Sequence, residues 1–117
     1  MTDKELLDLA AKAVGLTPAA DSDQEWVDDG QGGVTGQFEW KDAEGGELLY
    51  HWNPLTDDGD ALRLAVKTGE PFVVRSRCVT TMGGLVEDFD PAVSGDDLRA
   101  TRRAIVRAAA AIGEKMP

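Results

Sequence analysis

The sequence WNPLTDDGDALRLA, residues 52–65, predicts a junction at which a strand ends and a helix begins. Pro54 ends the strand because proline has no backbone N–H to donate to a sheet. Thr56 is the predicted N-cap, and the three aspartates after it lie where the positive end of the helix dipole favours negative charge. The apolar face of the helix continues with Ala61, Leu62, Ala65 and Val66. Gly69 is expected to end this helix.

Two further helices are predicted near the ends of the chain. Thr2 and Glu5 have the spacing of a capping box, ahead of a helix over residues 3–14. The longest helix is expected over residues 95–112, with Ser94 as its N-cap and a glycine at its end. Its buried stripe is expected to contain Leu98, Thr101, Ile105, Ala108, Ala109 and Ile112.

The segments between the helices have the patterns of β-strands. Residues 34–40 alternate between apolar and polar side chains, and residues 47–52 follow as a hairpin partner. Residues 72–80 are rich in β-branched side chains and predict one strand, which residues 85–89 rejoin as a partner. A short apolar piece over residues 24–27 is a less regular first strand. The predicted order is therefore α-β-β-β-α-β-β-α.

These elements predict an α+β fold. Hairpins imply antiparallel pairing, so we expect one antiparallel sheet of four or five strands. Three amphipathic helices suffice to cover that sheet in an α/β/α-type sandwich. The length of 117 residues suits a single domain over residues 1–117.

Composition excludes several classes of protein. Cys78 is the only cysteine and His51 the only histidine, so neither a disulfide nor a four-ligand Cys/His zinc site can be built within one chain. No apolar run is long enough to span a membrane, and residues 1–5 are polar and acidic. We therefore expect a cytoplasmic protein that has no membrane partner.

The charge of the chain is strongly negative and unevenly placed. The net charge is −10, with 15 acidic and 3 basic residues in residues 1–60 and 7 acidic and 9 basic residues in residues 61–117. A charge of this sign makes direct binding to nucleic acid unexpected. The asymmetry indicates either a polarised surface or ordinary solvation of helix faces.

The helical segments resemble a known family. Residues 52–65, together with TRRAIVRAAA at residues 101–110 and the helix over residues 3–14, resemble the phage ABA sandwich domain. The resemblance covers the helices and leaves out the variable strand region between residues 17 and 50. It implies a helix–sheet–helix sandwich in a small protein encoded by a bacteriophage or prophage, in a setting where such proteins often counter host defences. It supplies no catalytic residues.

Several groups of side chains are candidate binding sites. Asp57, Asp58 and Asp60 are expected as helix-capping acids, with a cation site as the alternative. Three tryptophans, Trp26, Trp40 and Trp52, indicate core or hairpin pairs, or else a subunit interface or ligand platform. An anion-binding alternative uses arginines of the last helix and of the strand over residues 72–80, with one tryptophan. Its residues are Arg75, Arg77, Arg99, Arg102, Arg103 and Trp52, and Arg107 extends the same basic stripe.

No nucleophile triad or metal motif is present in the sequence, so we expect neither an enzyme nor a cofactor or bound metal. The function expected is binding and inhibition of a host protein, such as a defence component, that has a basic surface. The acidic residues expected to bind this partner are Asp21, Asp23, Glu25, Asp28, Asp29, Glu39, Asp42, Glu44 and Glu47. The alternative is an oligomeric protein that sequesters an anionic nucleotide, and a third possibility is a virion or assembly accessory protein. A homo-oligomer is compatible with each.

Overall fold

The computed structural model of the protein describes residues 2–18, 27–28, 34–35, 38–42 and 49–117, with side chains over residues 2–16 and 52–117. These residues form an α+β fold with three helices and antiparallel strands, which confirms the expected class. The helices are α1 (Asp3–Ala13), α2 (Asp58–Thr68) and α3 (Asp96–Glu114). The strands are β1 (Leu16–Pro18), β2 (Val27–Asp28), β3 (Val34–Thr35), β4 (Phe38–Asp42), β5 (Leu49–Trp52), β6 (Phe72–Val74), β7 (Cys78–Thr81) and β8 (Val86–Asp88).

The described strands pair in three antiparallel groups, with the orders β1-β4-β5, β2-β3 and β6-β7-β8. The expected single sheet of four or five strands and the expected strand order are not confirmed. The predicted hairpin is present where β4 pairs with β5, from Phe38 opposite Trp52 to Lys41 opposite Leu49. The sequence does not predict β1 as a strand, because this segment contains a proline. Pro18 is tolerated there because β1 is an edge strand in its group. Residues 24–26 of the expected first strand lie outside the described residues.

The prediction of one strand over residues 72–80 is wrong, because the chain reverses within it. The Arg75 N–H donates to the Cys78 carbonyl at 2.8 Å, which closes a tight turn between β6 and β7. The turn needs no glycine, since none of the described non-glycine residues has a positive φ. In a single strand, Val73 and Val79 would lie on the same face of the sheet because side chains alternate along a strand. The reversal places them on opposite faces, so Val79 is fully buried while Val73 is exposed.

Two predicted N-caps are also wrong. The N-cap of α2 is Asp57, whose carboxylate accepts the Asp60 N–H at 2.8 Å, and not Thr56. The N-cap position of α3 is Gly95, which is left-handed at φ 82° and makes no side-chain cap, so Ser94 does not have that role. The predicted end of α2 is confirmed, because Gly69 is left-handed at φ 70°.

The buried side of α3 is wider than the expected stripe, because α1, α2 and the β6–β8 sheet all pack against it. Its buried residues are Ala100, Ala104, Ile105, Val106, Ala108, Ala109, Ala110 and Gly113. Small residues predominate since neighbouring elements approach α3 closely. Leu98, expected in the stripe, is exposed, as are Leu62 and Val66 of α2.

The α1–α3 pair forms the most extensive contact between described elements. Gly113 was expected to end α3, but the helix continues through it to Glu114 and Gly113 is buried against α1. A Cβ placed on Gly113 would overlap the Leu9 carbonyl oxygen and approach the Leu9 carbonyl carbon at 2.9 Å. The glycine is therefore required by the close approach of the two backbones.

We predict that Gly113→Ala lowers the free energy of unfolding by about 2–3 kcal/mol, because a helix backbone must shift to admit the methyl group. Gly59→Ala is the matched control. Its Cβ would meet only side-chain atoms at 3.2 Å or more, and alanine favours the helix. Chemical denaturation measures both variants, and equal destabilisation by the two substitutions would contradict the close-approach explanation.

Candidate functional site

A buried polar network joins the end of β5 to the first turn of α2. Asp60 is 1% exposed, and its Oδ2 accepts the Asn53 N–H at 2.8 Å. The Asn53 side chain is also buried, and its Oδ1 accepts the Leu55 N–H at 3.1 Å. Arg63 donates to Asp60 Oδ1 at 2.7 Å, which gives the buried carboxylate a cationic partner. The network fixes the direction in which α2 leaves the strand.

The acidic cluster that begins α2 is occupied by internal contacts. Asp57 caps the helix, Asp60 lies in the buried network, and Asp58 Oδ1 accepts from Arg102 Nη1 at 2.7 Å. Arg102 Nε also donates to the Leu55 carbonyl at 2.8 Å. Within the described ranges, no three Asp, Glu, His or Cys side chains are grouped so that they could hold a metal ion. These aspartates therefore stabilise the start of α2 and its contact with α3.

Arg103 and Arg107 connect α3 to two other elements. Arg103 Nη1 donates to Asp3 Oδ1 of α1 at 2.8 Å, and its Nε lies 3.7 Å from Glu87 Oε1 of β8. Arg107 Nη1 donates to Glu87 Oε2 and, at 3.1 Å, to the Val86 carbonyl. Glu87 thus lies between two arginines and is largely buried there. The basic stripe of α3 is in this way neutralised by carboxylates from both sides.

Arg99 pairs closer to the start of α3. Its Nε donates to Asp96 Oδ1 at 2.6 Å, and its Nη2 donates to the Asp88 carbonyl at 3.1 Å. The hydrogen bond from Arg99, followed by that from the Asp90 N–H, lowers the pKa of Asp96 below its ordinary value of 3.8. The same Asp96 hydrogen bond raises the pKa of Arg99. Asp96 therefore remains ionised and ties the loop before α3 to the helix.

The arginines expected to form an anion site are not gathered together. Arg75 and Arg77 are exposed at the β6–β7 turn and do not lie on a buried sheet face. Arg77 lines a shallow depression with Asp88, Phe89, Asp90, Pro91 and Asp96. Arg103 and Arg107 share Glu87, whereas Arg99 pairs with Asp96 and Arg102 with Asp58, so all four side chains are already paired with carboxylates of the chain. Trp52 is buried in the core and not available as a stacking platform.

The acidic residues expected to bind a partner cannot be placed from the described residues. Asp21, Asp23, Glu25, Asp29, Glu44 and Glu47 lie outside the described ranges, as does Trp26. Asp28, Glu39 and Asp42 lie in β2 and β4, where the backbone but not the side chains is described, and the same holds for Trp40 and His51. Cys78 is a free, partly buried thiol.

Two roles were missed by reasoning from sequence. Asn53 and Asp60 hold a junction together, although the pattern marked Asp60 only as a helix-terminal acid. Glu87 is an inward-facing acid between two strand residues that face outward, at a position where an apolar residue is usual. A charged residue at an inward position of a strand is the signal that would have predicted a buried cationic partner.

No family model, curated protein or solved structure matches this chain. Among the described helices, none is long and apolar enough to cross a membrane.

We predict that Asp60→Asn lowers the free energy of unfolding by about 2–3 kcal/mol, because an amide cannot accept from both the buried Asn53 N–H and the exposed Arg63 guanidinium and adds donors of its own. Asp58→Asn is the matched control. Its carboxylate is 62% exposed and its ion pair is screened, so the expected cost is at most about 1 kcal/mol. Urea denaturation of both variants tests the difference. Similar losses for the two would show that burial of Asp60 is not the cause.

Proposed function

We propose that this chain is a phage- or prophage-encoded accessory protein of the bacterial cytoplasm, which binds and inhibits a host protein such as a defence component. It acts through binding rather than catalysis. The partner presents a basic surface, and the acidic residues between positions 21 and 47 recognise it. The segments at residues 52–65 and 101–110, which resemble the phage ABA sandwich domain, support the origin and the sandwich architecture.

The main support for an acidic binding surface is the distribution of charge. Residues 17–51 contain nine acidic residues and one lysine, so they carry eight of the ten net negative charges. The other 82 residues contain 13 acidic and 11 basic residues and are nearly neutral. A concentrated negative charge attracts a basic partner at long range and speeds its association.

The arginine pairs support the same choice of surface. Arg99, Arg102, Arg103 and Arg107 all make charged hydrogen bonds within the chain. A nucleotide that used them would have to replace these bonds, and the fold would lose the contacts that they supply. Sequestration of an anionic nucleotide is therefore the weaker proposal.

A pull-down from bacterial host lysate with two triple variants tests the proposal. Asp21→Asn, Asp23→Asn and Glu25→Gln remove three charges from the acidic segment. Asp8→Asn, Asp97→Asn and Glu114→Gln remove the same charges from exposed sites on α1 and α3. Both variants have a net charge of −7 from the original −10. We expect the first variant to capture about tenfold less of the partner and the second to capture it as the original chain does.

Equal capture by the two triple variants would contradict recognition through the acidic segment. Native mass spectrometry of the gently purified chain tests the nucleotide alternative separately. A bound mass that is lost when Arg102→Gln is introduced would favour sequestration, because Arg102 lies outside the acidic segment.

A further inference from the structure

The β6–β7–β8 sheet has one face against α3 and a second, outer face in solvent. Val79 is fully buried on the inner face. On the outer face, Val73 is 53% exposed and Val86 is 49% exposed. Thr80 of β7 lies between them, because Val73 pairs with Thr80 in the β6–β7 register and Val86 pairs with Thr80 in the β7–β8 register. The outer face therefore presents an uncharged row, Val73–Thr80–Val86, across three neighbouring strands.

A charged row lies beside the uncharged one. Cys78 is opposite Asp88 in the β7–β8 register, and it accepts the Arg75 N–H across the turn. Strand alternation places Arg75 on the same face as Val73, and Asp88 on the same face as Val86. The row is thus Arg75–Cys78–Asp88, with opposite charges at its two ends. Within the part of the chain that the structure describes, neither charged side chain has an ion-pair partner.

We propose that a second copy of this chain covers the outer face, with a two-fold axis parallel to β7 between the two sheets. Rotation about that axis places β6 of one copy over β8 of the other. Each position along a strand stays level with the same position in the partner copy. Arg75 of each copy then faces Asp88 of the other, and Val73 faces Val86. The two rows are therefore complementary to themselves, as an isologous interface requires. The sheets pack face to face at a spacing of about 10 Å, as in a β-sandwich.

Charge selects this axis over the other two-fold arrangement of the same faces. An axis perpendicular to the strands would place the charged row over the opposite end of the partner sheet, where Met82 is 79% exposed. Met82 continues the outer face, since its N–H donates to the Pro71 carbonyl at 3.1 Å. With the parallel axis, Met82 of one copy instead lies opposite Met82 of the other, close to the axis. Apolar groups then face apolar groups, and opposite charges face each other.

The sheet has strands of three or four residues, so its face is smaller than a standard stable interface. We therefore expect a weak dimer whose population depends on protein concentration. Cys78 lies on the central strand, close to the axis, and is the only cysteine of the chain. A short bismaleimide should consequently join two chains through Cys78.

Sedimentation equilibrium with charge-reversal variants tests the interface. Arg75→Glu and Asp88→Arg each place like charges opposite each other twice, and each should raise the dimer dissociation constant about tenfold. The double variant restores opposite charges in exchanged positions, so its dissociation constant should lie within about threefold of the original. Lys67→Glu makes the same change of net charge as Arg75→Glu, on the exposed side of α2, and should leave the dissociation constant unaltered.

Rescue of dimerisation in the double variant, with cross-linking through Cys78 that follows the dimer population, is the expected result. A chain that stays monomeric at millimolar concentration would overturn the proposal and indicate that a different protein covers the face. A dimer whose dissociation constant is unchanged by both single charge reversals, and that does not cross-link through Cys78, would also overturn the proposal. Such a dimer would use another surface. These outcomes are independent of the acidic segment and of its partner.

Discussion

Arg103 lies on α3 between a carboxylate of α1 and a carboxylate of β8, and two further arginines of the helix also reach carboxylates of other elements. Arg102 reaches the start of α2, and Arg107 shares Glu87 with Arg103. These ion pairs join residues that are between 16 and 100 positions apart in the chain. Alanines and Gly113 permit close backbone approach, and the arginines then fix the orientation of the neighbouring elements. The arrangement of the helices and of the β6–β8 sheet depends on this helix.

Pairing within the fold has a consequence for the surface. Because the arginines of α3 are matched by nearby acids, the described helices and the β6–β8 sheet contribute little net charge. The excess negative charge is left to residues 17–51. A stable, nearly neutral framework that carries one strongly acidic segment is suited to recognition of a basic partner. The proposed dimer would bring two such segments into one assembly and increase the avidity for a repeated or symmetric partner.

Helices were predicted well from sequence because their signals are local. The capping box at the start of α1 and the glycine at the end of α2 needed no knowledge of the tertiary structure. The turn at Ser76 was missed because it contains neither glycine nor proline, and a run of β-branched residues surrounds it. The buried side of α3 was predicted only in part, because Ile105, Ala108 and Ala109 are buried as expected whereas Leu98 is exposed. Close packing against three partners instead favours alanine, which leaves Leu98 outside.

The candidate site was predictable only in its residue types. The sequence shows arginines on one helix and acids elsewhere, but their pairing depends on contacts between distant parts of the chain. Arg103 and Asp3 are 100 residues apart, and no local pattern connects them. The role of Asp60 was missed for a different reason. An acid in the first turn of a helix is already explained by the helix dipole. Nothing further in the sequence therefore shows that Asp60 also accepts the buried Asn53 N–H.

The most direct test of whether the arginines of α3 serve the fold is the stability of Glu87→Gln, measured by urea denaturation beside Glu114→Gln. Glu87 is shared by two arginines and its side chain is 14% exposed, whereas Glu114 lies exposed at the end of α3. We predict a loss of about 2 kcal/mol for Glu87→Gln and less than about 0.5 kcal/mol for Glu114→Gln. An equally small effect of both substitutions would contradict the account, because the arginines would then not depend on their internal partners and would be free to bind an anion.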